Sequence, residues 1–585
     1  MEEEMIQEIK ESPEIEEYEE EEEWEEEPYR KKGEPTRLSR KLNVFFHHID
    51  RGGTLGGEIM AGFTMFFLSI CVIFMNMQIV GNVINGAVEL NNSPASPVNI
   101  EAAAVYVQIY AGSVLIAIIG SLLIGIVANL PITQLSVMGL SSSLLCLVGT
   151  EAGLTYQNLL FLNFLAAVIY VIITGVPKVR ELVYQALPVP VRRGLPAAAG
   201  LIFAYFALKM SGIVTTKEVT IGSGAKVITY INGTGFADMR KMYLCSLIGA
   251  AVAVILFVLI KLLKKKHPGF WSMTGGTLVF LGSSVAMSGI DTGNTESIIN
   301  FGRVWLIAGS QASATTPFAD SYLTYCMTGI KAVMENLTTV FTQGADFSSY
   351  SGNTVALIVS GVLCYVLTAF LDADATLLAI QGKLNENASE EGLVDFESQK
   401  GIRKVLLCNA GINVLGSLFG TGRVTLSKTS VAAVQDNGKS GLTAIFSCIG
   451  YIISLFVMVF PALFATSTYG VASMNQWNYF AYGNGGFIYL VQGVAFLIAD
   501  VVMICIGICM VGTLKTLEWK NPGEWLPAVL TVVAAVITSN LAIGATIGMI
   551  AYLPFALIEK KKNESEFQVQ MIGVLVIMII MTVLL

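Results

Sequence analysis

Two carboxylates stand where carboxylates are costly. Asp372 and Asp374 lie in residues 365–377, YVLTAFLDADATL, an otherwise apolar run. An ionisable group inside such a run is a functional candidate by default. Held in a desolvated cavity, a carboxylate titrates closer to neutrality and can take up and release a proton. On a helix, at about 100° per residue, the two acids point roughly 200° apart, so one faces a given site and the other pairs elsewhere or snorkels. Two cations, Arg423 and Lys428, sit in residues 420–430, GTGRVTLSKTS. They can pair with Asp372 or Asp374, or attract an anionic ligand. Asp500, in FLIADV, reads as a structural acid. Three histidines (His47, His48 and His267) give no His-built metal cluster, and nine scattered cysteines read as small buried hydrophobes. Cys505 and Cys509 are one helical turn apart, without accompanying zinc-ligand spacing. No nucleophile–base pair is visible. An enzyme is therefore not expected, and neither a metal nor a cofactor.

The elements that must position these groups are membrane spans. The chain has 585 residues, 54% hydrophobic and only 14% charged, with a mean hydropathy of +0.65. Soluble chains carry roughly 25% charged residues, and many of the apolar runs here approach the ~20 residues that cross a bilayer. Residues 1–34 hold 17 Glu and four basic residues, a local net of −13, so the remainder carries +4 of the total −9. Such a self-repelling segment reads as a disordered, solvated cytoplasmic tail, here taken as residues 1–40. The apolar runs are 58–81, 103–127, a short 137–149, 157–175, 190–210, 241–262 and 272–288, then a polar segment 289–351. The second set is 354–378, 403–419, a short 425–435, 441–464, 486–513 and 525–558, with a final run 569–585. Thr538-Ser539-Asn540 can turn 525–558 into a hairpin. With the N-terminus inside, every Lys/Arg cluster then falls on the cytoplasmic side, as the positive-inside rule requires. That makes 14 spans; 569–585 is either an extra span or a membrane-surface helix.

Seven spans followed by seven imply two halves of opposite orientation, 51–288 and 352–558, joined by an extracytoplasmic connector at 289–351 and followed by a basic loop and apolar segment at 559–585. The third member of each half is short: Asn129-Leu130-Pro131-Ile132 leading to Met138-Gly139-Leu140-Ser141, and Gly420 to Ser430. Paired interrupted segments in inverted halves are the best sequence pointer to a transporter's binding site. Irregular backbone at membrane depth is tolerated where it is buried or lines a cavity, and half-helix N-termini offer free N–H groups to a polar or anionic ligand.

With these residues in view, the chain resembles the nucleobase–cation symporter-2 family, in its AzgA-like hypoxanthine/guanine/adenine permease branch. GEIMAGFTMF at 57–66 is similar to that branch's "EILAGLTTF", and Asn76 falls where it has an asparagine. ANLPI at 128–132 with Met138-Gly139-Leu140 resembles "ANLPI…PGMGLNAFF"; FAYFALKMSG at 203–212 resembles "FIAFIGLKNAG". FLDADATL at 370–377 resembles "FFDTIGTL", and residues 517–531 resemble "IDW…AIPAFLT". The likeness runs through about residues 51–558.

The resemblance implies an all-α polytopic membrane protein of about 14 spans in two inverted seven-helix repeats, with a core and a gate domain. Spans 3 and 10 are each a short strand plus a half-helix facing the substrate. It implies proton-coupled uptake of a purine base across the plasma (inner) membrane and a homodimer, with no nucleic-acid partner. Asp372 takes the place of the family's span-eight carboxylate, near substrate and proton. Gly139, Leu140 and Ser141 match the first half-helix entry. Thr429, Arg423, Thr425 and Asn76 complete the expected substrate site, and Asp374 joins Asp372 as a proton-coupling candidate. The departures matter. Thr429 stands where the family has a glutamate that holds the base, Arg423 where a small Thr is usual, and Lys428 where an apolar residue is. Ser141 replaces an asparagine, and Asp374 is an added acid. The recognition surface changes from acidic to basic. Two alternatives follow: an anion transporter with Arg423 as counter-charge, and a non-transporting sensor or scaffold acting through the acidic tail.

Overall fold

The computed structural model describes residues 36–86, 100–136, 154–210, 214–221, 228–236, 241–288, 322–347, 352–396, 399–456, 499–561 and 569–584. The acidic tail and the segment holding Gly139, Leu140 and Ser141 lie outside them. The first described helix is α1 (Arg37–Phe46), which already claims the last residues assigned to the tail. Thr36 caps it through a 3.0 Å bond from the Ser39 amide. The first half continues with α2 (Leu55–Gly86), α3 (Ile100–Leu123, then a π turn to Ala128), β1 (Gln134–Ser136), α4 (Tyr156–Gly175), α5 (Pro177–Ala186), α6 (Val189–Met210), α7 (Lys241–Leu262) and α8 (Pro268–Ser288). Between α6 and α7 the β-branched stretches Val214–Ile221 and Ile228–Phe236 pair as an antiparallel hairpin, β2–β3.

The second half runs α10 (Gly352–Leu384), α11 (Gln399–Leu418), β4 (Val424–Leu426), α12 (Thr429–Gln435), α13 (Gly441–Phe456), α14 (Ala499–Val511), α15 (Pro522–Thr538) and α16 (Leu541–Lys561). Before it stands α9 (Tyr322–Thr342), and after it α17 (Val569–Leu584). Among the described residues six helical stretches are long and apolar enough to cross a bilayer, and four shorter ones are apolar. Isoleucines such as Ile172, Ile255, Ile453, Ile508 and Ile537 point outward, exposed; in a bilayer that surface meets acyl chains rather than water. The 525–558 run is indeed two helices: α15 stops at Ser539, in the left-handed region at φ 52°, and α16 begins two residues later. α17 packs on α10, α16 and α5. At 16 residues it is about 24 Å long, less than a ~30 Å hydrocarbon core.

Helix neighbours come in couples that relate the two halves. α3 packs on α13 as α11 packs on α4; α2 packs on α13 as α10 packs on α4. Within the other group, α7 lies against α8 as α15 lies against α16, and α6 meets α15 as α14 meets α7. The strands β1 and β4, each following the second helix of its half, pair antiparallel with Leu135 opposite Thr425. Matching contacts exchanged between halves, with an antiparallel strand pair at the centre, describe an inverted repeat. One group of helices, α2–α4 and α10–α13, is the core domain. The other, α6–α8 and α14–α16, is the gate domain.

The connector is not structureless. α9 packs on α3, α4 and α13 of the core, and the loop after it accepts hydrogen bonds from Asn158 at the carbonyls of Gly344 (3.1 Å) and Asp346 (2.9 Å).

Candidate functional site

β4 is the element that sets the site. Its sequence alternates Arg423, Val424, Thr425, Leu426, Ser427, and a strand sends alternate side chains to opposite faces. Val424 and Leu426 are fully buried among apolar neighbours; Val424 packs with Ile116 and Ile412. Arg423, Thr425 and Ser427 go to the other side, where they line a cavity. Gly422 launches the strand from φ +77°, a conformation that disfavours other residues. Two asparagines of α11 hold the strands in place. Asn413 donates to the Val424 carbonyl (2.8 Å) and accepts from the Val424 amide (2.8 Å). Asn409 donates to Gln134 of β1 (3.1 Å). Tyr365 and Tyr170 donate to Asn413 (2.7 Å) and Asn409 (3.2 Å). These bonds satisfy backbone that leaves helical geometry at depth.

The cavity is small, about 70 Å³, and lies between core and gate. The core supplies Val72 of α2, Leu135 and Ser136 of β1, Thr368 and Asp372 of α10, and Arg423, Thr425, Ser427 and Lys428. From the gate come Ala199, Ile202, Phe203 and Phe206 of α6, and Ser539 and Leu541 at the α15–α16 turn. Asp372 is 3% exposed and engaged from several directions. Lys428 Nζ donates to its Oδ1, and the Thr425 hydroxyl to its Oδ2. Arg423 Nη2 stands 3.9 Å from Oδ2. Arg423 itself is 2% exposed, and its Nε and Nη1 have no hydrogen-bond partner among the described residues. The cavity can therefore offer buried donors and positive charge to a polar ligand, with aromatic rings and aliphatic groups around it.

The other expected residues distribute as follows. Thr429 begins α12, fully buried; its hydroxyl pairs with Ser69 (2.8 Å) and Ser427 (2.7 Å), behind the cavity wall. Asn76 is buried on α2, and its Nδ2 lacks a hydrogen-bond partner among the described residues. Asp374 is away from the cavity, held by Arg192 of α6 at 3.0 and 3.2 Å. Lys428, expected from the sequence to pair with one of the two acids, holds Asp372. Ser539 and Leu541, not read as site residues from the sequence, bring a helical hairpin's turn to the cavity. Phe203 and Phe206 were inside a recognised motif but carried no assigned role.

No family model matches the sequence. Among curated proteins, the chain is 23% identical over 512 residues to the guanine/hypoxanthine permease PbuO of Bacillus subtilis, covering 87% of this chain and 93% of that one. It is 21% identical over 516 residues to the adenine permease AdeQ of Escherichia coli, covering 88% and 90%. The chain is a divergent relative of the nucleobase–cation symporter-2 permeases. Among solved structures it aligns with the transmembrane domain of the cyanobacterial bicarbonate transporter BicA at 12% identity and a TM-score of 0.41, over 85% of this chain and 97% of that one. The chain is an integral membrane protein, and the strands of its two broken segments, β1 and β4, contribute to the cavity wall.

Proposed function

We propose that this chain is a secondary-active permease that takes up a purine nucleobase with protons across the plasma membrane, its N-terminus in the cytoplasm. The observation that carries this is the cavity between core and gate, with Asp372 and β4 in its wall, in a chain whose full-length relatives are named guanine/hypoxanthine and adenine permeases. In this reading Arg423 and Thr425 form the polar wall against the base, and Asn76 and Thr429 support it from behind. Asp372 is the acid through which a proton is linked to substrate. A proton on Asp372 would neutralise the carboxylate and turn one of its two oxygens into a donor, weakening its hold on Lys428 and changing the donors that face the cavity. Gly139, Leu140 and Ser141 are assigned to the opposite wall by sequence alone.

The test is uptake into proteoliposomes of radiolabelled hypoxanthine, guanine, adenine, xanthine and urate, with and without an inward proton gradient. Gradient-driven uptake of at least one base, lost in Asp372→Asn, is the expected result. The competing reading is an anion transporter without purine specificity. Flux of a small inorganic anion abolished by Arg423→Ala, with no purine flux in a folded wild type, would establish it instead.

A further inference from the structure

We infer that the site takes its purine as a monoanion, an oxopurine that has lost a ring proton, with the Arg423 guanidinium as counter-charge. This rests on the purine reading and narrows its substrate class.

The argument begins with charge. The charged side chains in the described cavity wall are Asp372, Lys428 and Arg423. Each oxygen of Asp372 already accepts one bond, from the Lys428 ammonium at one and the Thr425 hydroxyl at the other. Arg423 comes no nearer to that carboxylate than 3.9 Å, outside hydrogen-bond reach. Its Nε and Nη1 are buried and have no partner among the described residues. One carboxylate against two cations leaves one positive charge uncompensated in this wall. The other titratable groups beside Arg423 are Tyr170 and Tyr365, whose hydroxyls are spent on Asn409 and Asn413. A ligand that brings one negative charge and acceptors is the missing partner.

The chemistry of the ligand follows. A deprotonated oxopurine spreads its charge over a ring nitrogen and a coplanar carbonyl oxygen, an acceptor-only edge suited to guanidinium N–H groups. A neutral base presents ring N–H donors as well, and the carboxylate that could accept them already holds a cation and a hydroxyl. Phe203 and Phe206 on α6 offer apolar, planar surface for the ring faces. Protonation of Asp372 would add a second uncompensated cation, so proton uptake and anion binding favour each other, as symport requires.

The experiment uses the full-length protein in liposomes and three probes: hypoxanthine, neutral near pH 7; urate, anionic there; and xanthine, which ionises between mildly acid and mildly alkaline pH. Urate is expected to bind tighter than hypoxanthine by on the order of tenfold to a hundredfold. Xanthine's affinity, taken relative to urate's at the same pH, should rise as xanthine ionises. Arg423→Gln should collapse the urate-to-hypoxanthine ratio towards one, and Arg423→Lys should keep most of it. Hypoxanthine binding as tightly as urate, or a xanthine-to-urate ratio that falls with rising pH, overturns the inference and leaves the purine reading standing. Should Arg423→Gln fail to fold, the wild-type ratios decide alone. A folded wild type that binds no purine, neutral or anionic, overturns both readings.

Discussion

Asp372 shows how one carboxylate is kept in an apolar helix. Its two oxygens are bound by Lys428 and Thr425, and Arg423 adds charge from 3.9 Å. Breaking a buried pair by removing one partner typically costs about 3–5 kcal/mol, because the other charge is stranded; removing both costs much less. Asp372→Asn should therefore lower the protein's apparent melting temperature in detergent markedly. Adding Lys428→Met to it should recover part of the loss, with a coupling of roughly 1–3 kcal/mol. Equal melting temperatures for the single and double variants would show that Asp372 and Lys428 are not energetically paired. At this scale the sequence was readable where a charge interrupts apolar residues. The 200° separation of Asp372 and Asp374 follows from helical geometry alone, and they do face different partners. Which cation meets which acid was not readable. Arg192 lies 182 residues before Asp374 in the chain, and local pattern cannot report such a distance.

The helices of the core approach one another so closely that single hydrogen atoms matter. A Cβ on Gly441, at the start of α13, would come 1.9 Å from the Gly125 carbonyl oxygen in the π turn of α3. Both sides of that contact are backbone, and neither can rotate away. Gly441→Ala should cost about 1–3 kcal/mol through forced displacement. Gly411→Ala in α11 is the control, since a Cβ there meets nothing within 4 Å. It should be neutral or stabilise by about 0.5–1 kcal/mol, the ordinary gain of replacing a helical glycine. A thermal-stability comparison in one detergent checks both, and similar shifts for the two would refute the close-packing argument. Elements were legible to the extent that their period was. The β4 segment reads as extended from its polar, Gly- and Ser/Thr-rich composition, its strand is what the family resemblance implies, and the α15–α16 hairpin reads from Thr538-Ser539-Asn540. The β2–β3 hairpin and α9 were passed over because they fall in polar stretches between spans, where hydropathy is silent. The density of β-branched residues in 214–221 was the available signal for the hairpin.

At the scale of the molecule, transport requires the gate to move against the core, so contacts between the two domains bias which conformation is populated. Two such ties stand out. Arg192 of the gate holds Asp374 of the core at 3.0 and 3.2 Å, with its guanidinium 3.8 Å over the Tyr184 ring. Asp436, just past α12 of the core, accepts from the amides of Gly269 (2.8 Å) and Phe270 (2.7 Å) at the start of α8 in the gate, and from Thr64 of α2 (2.6 Å). A carboxylate on a helix N-terminus and a bidentate arginine pair are both directional, so neither survives a shift of an ångström or two. Together they favour the conformation described here over its alternate. Arg192→Met should remove one tie and move the population towards the alternate by roughly tenfold or more, if the pair is worth ~1.4 kcal/mol or more in one state only. Sided labelling reads this out. With the native thiols blocked, a cysteine at Ser539 on the cavity wall should react faster with an impermeant maleimide added on the side protected in the parent protein. Exchanging the charges, Arg192→Asp with Asp374→Arg, should return the labelling towards the parent pattern, because the tie depends on opposite charge across the interface and not on which domain carries which sign. Labelling that stays unchanged in Arg192→Met would place Asp374 in a purely structural pair, leaving Asp372 as the acid for the proposed proton coupling.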